Sequence, residues 1–312
     1  MTDGIQPLSI VIPTYNAVGK VEGLLTRLGH FQAKYGDAYQ IIITDDASTD
    51  GTAGEIRRQF PAVTVIESRQ NRGFGANVMA GAAHAKNEFL AIVNSDIELC
   101  GNPFNDLIDE LARDDKLFGA MPLIYNRSLE KVENLARLYC YRGLCWHTEL
   151  ADEEHWTAVM RDLLASAHDI KARLHDISAN QKPIHSVLCG AIFACRRARF
   201  EQLGGFDARY QPFYWEDVDL DYKGRAQGWY CATVSRAAVI HRHSETINRV
   251  HGARKQLFLR INQLRFVQAH LAQLPDLRAP HFWWFARSLR ELLGGDASLR
   301  RAYWRASIGM PA

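Results

Sequence analysis

An α/β fold is the expectation for this 312-residue chain, and three features predict it. Short Val/Ile-rich runs alternate with helical periodicity through the first 125 residues. Apolar strands in such alternation belong to a mostly parallel sheet covered by helices on both faces. Polar clusters recur where the strands end, and in such sheets ligands bind beyond the carboxyl ends of the strands.

The elements follow in order. Leu8 to Ile12 predicts a strand closed by Pro13. Asn16 then fits an N-cap for a helix whose apolar positions Val18, Val21, Leu24, Leu25, Leu28 and Phe31 recur at helical spacing. Gln40 to Thr44 predicts a second strand, Thr49 to Phe60 a helix, and Val63 to Ile66 a third strand. A small-residue helix over Gly75 to Ala85 follows, then a strand over Phe89 to Val93. Pro103 fits the first turn of a helix running to about Asp114. Residues 128–182, long and polar with Trp156, Val159, Leu163 and Leu164 on one stripe, predict a helical insertion. Ser186 to Cys195 returns to β character, Glu216 to Gln227 reads as a helix, and Tyr230 to Val234 and Val239 to His241 as the last strands. Residues 251–273, 281–293 and 296–308 have amphipathic helical patterns. The expected division is 1–248 for the catalytic-type domain and 249–312 for a helical extension.

Composition narrows the class. Lys and Arg number 37 against 35 Asp and Glu, and 47% of residues are hydrophobic, which is ordinary globular usage. A nucleic-acid-binding polycation is not expected. The charge is uneven: from Arg249 onward 11 basic residues face 3 acidic ones, a balance of +8, leaving −6 elsewhere. No apolar run reaches the roughly 20 residues that span a bilayer, and the N-terminus does not read as a signal peptide. The six cysteines form no C-x-x-C pair, so a zinc site is not expected and they read as reduced, buried thiols. The expectation is a cytoplasmic protein.

Four segments carry chemistry. TDDASTDGT (44–52) follows a strand and opens a helix, so its carboxylates suit a base or ribose. Asp46, Ser48, Asp50 and Gly51 also match the start of a calcium loop, but Arg57 occupies the position of its bidentate Glu. Capping explains Asp50 equally well. NRGFGANVMAGAAHA (71–85) places small residues where backbone approaches something closely, but only Gly73-x-Gly75 of a dinucleotide fingerprint is present, after the third strand. NSD (94–96) ends the fourth strand, where a carboxylate facing a diphosphate suits a divalent cation. His241, leaving the last strand, suits the same site, with His243 as its competitor. In WEDVDLDYKGRAQGW (215–229), Glu216 and Asp217 sit where a helix dipole favours acids, and either suits a general base. Asp219 and Asp221 read as solvated helix positions or ion-pair partners.

The ordered set SIVIPTYN, DDASTDGT, NRGFGANVMAG, NSDIEL, CGAIFACRRARFEQLGGFD, FYWEDVDLDYKGRAQGW and VIHRHS resembles family 2 glycosyltransferases of the GT-A fold, in particular a bacterial rhamnosyltransferase-like branch. The resemblance spans about residues 7–125 and 185–245. It implies inverting transfer from a nucleotide-diphospho-sugar, a UDP- or dTDP-sugar, to a saccharide or lipid-linked acceptor. It places Pro13, Thr14, Tyr15 and Asn16 at the nucleotide, Asp45 on the base, and Asn71 and Gly73 beside base or ribose. Asn94, Ser95 and Asp96 correspond to the D-x-D motif, Asp96 binding Mg²⁺ or Mn²⁺ with His241. Gly190 lets backbone approach the sugars, and Asp217 is the base with Glu216 beside it. Asn94 replaces the first D-x-D acid, which removes one carboxylate from the cation. A nucleotide-sugar-binding module without transfer activity is the alternative. The basic, Trp-rich tail suits contact with an anionic membrane surface, or packing on the catalytic domain or a second subunit as a homodimer.

Overall fold

The structure is a computed structural model describing residues 6–141, 144–149, 158, 182–242 and 255–270. Strands β1 (Leu8–Thr14), β2 (Tyr39–Asp45), β3 (Thr64–Glu67) and β4 (Phe89–Val93) run parallel in the order β3-β2-β1-β4. Side chains alternate across a sheet, and the sequence uses both faces. Leu8, Ile10, Ile12, Ile41 and Ile43 enter one core layer, and Val11, Ile42, Leu90 and Ile92 the other.

Helices α1 (Glu22–Tyr35) and α4 (Phe104–Arg113) cover the first face. They bury Leu24, Leu25 and Leu28, and Phe104, Leu107, Ile108 and Leu111, each contributing roughly 1.5–3 kcal/mol. Between β2 and β3 lies α2 (Thr52–Gln59), which buries Thr52, Ala53 and Ile56. Helix α3 (Phe74–Ala82) covers the other face. Its small residues answer to the sheet itself: a Cβ on Gly81 would strike the Val11 and Thr44 side chains. Two details differ from the sequence reading. Helix α1 opens at Glu22 without a side-chain cap, because Asn16 takes a left-handed φ of +49° and bonds elsewhere. The helix expected from Thr49 opens at Thr52, with Thr49–Gly51 spent in the turn before it.

Beyond β4 the sheet becomes mixed. Strands β5 (Ile97–Leu99), β6 (Leu117–Asn126), β9 (Ile184–His185), β10 (Ile192–Arg196) and β11 (Tyr230–His241) complete it, in the order β4-β10-β6-β11-β5 with β9 beside β11. The two last strands expected form one strand, β11, which follows β6 in parallel and skips from Val234 to Ala238 in register. That irregularity holds Arg236, whose guanidinium pairs with Asp106 and Glu110 of α4. The expected helical insertion opens instead as an antiparallel hairpin, β7 (Ala136–Tyr141) with β8 (Leu144–Glu149), while Val132 and Leu135 before it are buried. The Trp156 stripe lies outside the described residues. Helices α5 (Arg197–Gln202), α6 (Glu216–Ala226) and α7 (Lys255–His270) complete the described elements. The two later tail helices lie outside the described residues.

Candidate active site

A cleft of about 340 Å³ opens at the carboxyl ends of β1 and β4 and the far end of β11. Pro13, Thr14, Tyr15, Asn71, Gly73, Asn94, Ser95, Asp96, Gly190, Glu216, Asp217 and His241 all line it. Segments more than two hundred residues apart in sequence therefore face one space.

Asn16 and Asp45 do not line the cleft. Asp45 is 1% exposed; its carboxylate accepts from the Thr14 hydroxyl at 3.0 Å, the Ser48 hydroxyl at 2.5 Å and the Ser48 N–H at 2.9 Å. Asn16 Oδ1 accepts from the Thr49 N–H at 2.9 Å. Both tie the β1 and β2 ends together beneath the floor. Asp46 lines the cleft instead, accepting from the Arg72 and Gly73 N–H groups at 2.9 and 2.8 Å. Burial pushes its carboxyl up, against the pull of those two donors. Asn77, turned so that its amide donates to the Thr14 and Thr44 carbonyls, completes the floor.

Gly73 has φ +86°, and a Cβ there would lie 2.6 Å from the Pro212 carbonyl oxygen. That carbonyl accepts from the Phe74 N–H at 2.9 Å. The small-residue turn thus closes against the loop before α6, and glycine is required on both steric and conformational grounds. Phe74, Phe213, Tyr214 and Pro212 form an apolar wall there. Phe74, Phe213 and Tyr214 fall within the NRGFGANVMAG and FYWEDVDLDYKGRAQGW segments, whereas Lys255, which reaches the cleft from α7, lies outside every motif.

Also lining the cleft, His241 has Nε2 3.3 Å from Asp96 Oδ1, and its Nδ1 is 3.3 Å from Glu133 Oε2. The sheet makes this meeting: His241 pairs with Ile97, the residue after Asp96. Burial lowers the imidazole's basicity, but bonding to the two carboxylates outweighs it and raises the pKa to about 9. The resemblance implies His241 with Asp96; Glu133, which no motif points to, adds a partner that orients the second ring nitrogen. The donors fit a hard or borderline cation. Asp96 and His241 would supply two side-chain donors; among the described residues no group of three or more His, Cys, Asp or Glu side chains is arranged to hold an ion. Asn94 Oδ1 is buried with no hydrogen-bond partner among the described residues, which puts a neutral amide where the motif's first acid would stand.

Asp217 and Glu216 open α6 and diverge. Asp217 Oδ2 accepts from the Gly190 N–H at 2.8 Å, whereas Glu216 is 5% exposed and its Oε2 has no hydrogen-bond partner. Burial first, and the charge of Asp217 second, push the Glu216 carboxyl well above the usual range. The helix is entered through Tyr214 and Trp215, both left-handed with φ +75° and +77°. Such conformations in bulky residues cost on the order of 1–3 kcal/mol each. Asp219 and Asp221, both 1% exposed, are not solvated: Asp219 pairs with Lys223 and His270, Asp221 with Arg225.

Comparison with known proteins completes the description. The profile of Glycosyl transferase family 2 matches residues 9–165, half of the chain. An N-acetylglucosaminyl-diphospho-decaprenol L-rhamnosyltransferase of Mycobacterium tuberculosis is 25% identical over 313 residues, covering 94% of this chain and 91% of that protein. A dolichyl-phosphate beta-glucosyltransferase of Saccharomyces cerevisiae is 30% identical over 115 residues, 34% of each chain. In three dimensions, GalNAc-T7, solved with UDP, GalNAc and Mn²⁺, aligns with a TM-score of 0.60 and 17% identity over 99% of this chain. This chain spans 55% of that structure, and the likeness establishes the GT-A fold.

Proposed function

Because the chain belongs to glycosyl transferase family 2, we propose that it moves a sugar, with inversion, from a UDP- or dTDP-sugar to a hydroxyl of a saccharide or lipid-linked acceptor in bacterial glycan synthesis. One observation carries this reading: a single cleft is lined both by an acid–imidazole pair, Asp96 with His241, and by the carboxylate of Asp217. The rhamnosyltransferase relative, matched along nearly its whole length and named for a lipid-diphosphate-linked sugar, supports the lipid-linked acceptor class.

In this reading the nucleotide lies along Pro13–Tyr15, Asp46, Asn71 and Asn77, its diphosphate directed at Asp96 and His241. Those two residues would hold Mg²⁺ or Mn²⁺, which when bound offsets charge on the departing diphosphate. Asp217 accepts the proton of the acceptor hydroxyl as its oxygen attacks the anomeric carbon. The bond from that carbon to the diphosphate oxygen breaks on the opposite face, its electron pair leaving with the nucleoside diphosphate. The Gly190 N–H holds Asp217 for this step, and the dipole at the start of α6 favours its ionised form. Glu216, buried beside it with its carboxyl pushed up by burial, shapes the loop. Asn94 leaves the cation with one carboxylate from this motif, so its affinity is modest. The basic tail is proposed to keep the enzyme beside anionic lipid, which tail-truncated protein would test by weaker co-sedimentation with anionic vesicles. No helix among the described residues is long and apolar enough to cross a membrane.

The test is a thermal-shift panel of UDP- and dTDP-sugars with and without Mn²⁺, since a ligand stabilises in proportion to the logarithm of its excess over Kd. The stabilising sugar nucleotide is then incubated with a polyprenyl-diphospho-N-acetylglucosamine acceptor. The reading expects Mn²⁺-dependent stabilisation and release of nucleoside diphosphate with transfer. Binding with neither hydrolysis nor transfer, across saccharide and lipid-linked acceptors, would identify a binding module instead.

A further inference from the structure

Helix α7 lies outside the residues matched to the family profile, yet one of its faces is built around the loop that enters α6. Phe258, Asn262, Phe266 and His270 recur every fourth residue, hence on one face. Asn262 is 0% exposed, and its amide nitrogen donates to the carbonyls of Tyr210, Phe213 and Tyr214 at 2.6, 2.9 and 3.1 Å. Its carbonyl accepts from Arg265 at 3.0 Å, and Arg265 donates onward to the Arg209 carbonyl at 2.7 Å. Phe258 packs edge-on against Phe213, and Phe266 lies against Trp215. His270 meets Asp219 Oδ1 at 2.7 Å, the same oxygen that accepts from the Tyr210 hydroxyl.

The chemistry explains the choice of asparagine. Three backbone carbonyls converging on one buried point repel one another and need donors. A primary amide supplies two N–H groups in one plane and no charge, so one of them is shared between two of the three carbonyls. The loop so held contains the two left-handed aromatic residues, a conformation that persists only where its surroundings over-determine it. Immediately after them come Glu216 and Asp217.

We propose that α7 is a brace for the catalytic loop, and that Asn262, assisted by Arg265, is a positioning residue that sets the direction of Asp217. The proposal rests on the reading of Asp217 as the base. A misplaced catalytic group costs heavily, about 10²-fold for about 1 Å, so the brace acts on turnover and not on donor affinity.

The experiment uses the full chain with Asn262→Leu, close in shape but without donors, and Arg265→Met, milder and partly exposed, in case the first does not fold. Hydrogen exchange of peptides spanning 208–220, nucleoside diphosphate release from the sugar nucleotide identified above, and UDP or dTDP binding with Mn²⁺ are measured together. The brace predicts faster exchange confined to 208–220, kcat lowered about 10²-fold in Asn262→Leu and less in Arg265→Met, and nucleotide Kd within twofold of wild type. Arg265→Lys, which keeps a donor, is expected to recover part of kcat. Unchanged exchange in a folded variant overturns the brace. Faster exchange with wild-type kcat overturns its catalytic consequence. The base assignment is judged separately by Asp217→Asn: an active Asp217→Asn variant removes Asp217 from the chemistry, while the exchange data still decide whether α7 holds the loop.

Discussion

The backbone N–H of Gly190 donates to Asp217 Oδ2 at 2.8 Å, joining the turn before β10 to the first turn of α6. A Cβ on Gly190 would sit 3.2 Å from that same oxygen, so Gly190→Ala must push the carboxylate aside. Its φ is not left-handed, and the fold is expected to tolerate alanine. Turnover should fall by up to about 10²-fold, with nucleotide affinity and melting temperature near wild type. Steady-state kinetics beside calorimetric binding reads the difference.

Asp217→Asn separates a base from a cap. Asparagine caps a helix about as well as aspartate, so a capping role leaves turnover intact. A general base predicts a loss of about 10²–10⁴-fold with donor binding preserved. Retained turnover in Asp217→Asn would place the base elsewhere.

Glu216→Gln should behave oppositely, because glutamine mimics a protonated carboxyl. A folded-state pKa raised above the ordinary 4.5 contributes stability that is present below 4.5 and lost as pH rises toward the folded value. Wild type therefore loses stability across that range relative to Glu216→Gln, and the gap in melting temperature should widen with pH. A gap that stays constant from pH 4 to pH 8 would show that Glu216 is ionised in the folded protein.

Asp219 has the reverse sign. Burial raises its pKa, but hydrogen bonds from His270 and Lys223 prevail and hold it below the ordinary range. Its contribution is present above the unfolded value near 3.8 and lost as pH falls through the lower folded value. Asp219→Asn should cost about 1.5–3 kcal/mol at pH 7 and progressively less below pH 3.8, as denaturant melts at the two pH values would report.

Asp96→Ala is expected to abolish the Mn²⁺-dependent part of sugar-nucleotide binding while the protein stays folded. His241→Ala should do so more weakly. Titration of UDP binding against Mn²⁺ checks both, and an unchanged Mn²⁺ response in Asp96→Ala would overturn the assignment.

Most of the sheet and the helices that cover it could be read from periodicity, because both core layers are written into alternate residues of β1, β2 and β4. The Asp96–His241 meeting was suggested by family pattern, and the ladder pairing His241 with Ile97 supplies its cause. What escaped reading depends on contacts between distant segments. Asp45 resembled a ligand-facing acid, but its carboxylate serves Thr14 and Ser48; only the turn geometry reveals which of two adjacent acids faces the cleft. Glu133 lay in a segment too polar to distinguish hairpin from helix. Asn262 sits mid-helix, where no local rule separates a buried amide from a solvated one.

The skipped register of β11 has a consequence for how this protein tolerates change in chain length. Between Val234 and Ala238 the strand steps out of pairing with β6 and then resumes, before ending on His241. Strand side chains alternate faces, so if losing one residue from that detour made the strand beyond it slip by one position, Arg242 would stand where His241 now stands and the imidazole would turn away from Asp96. Residues 235–237 thus act as a spacer whose parity, more than its composition, decides which side chain the strand delivers to the cleft.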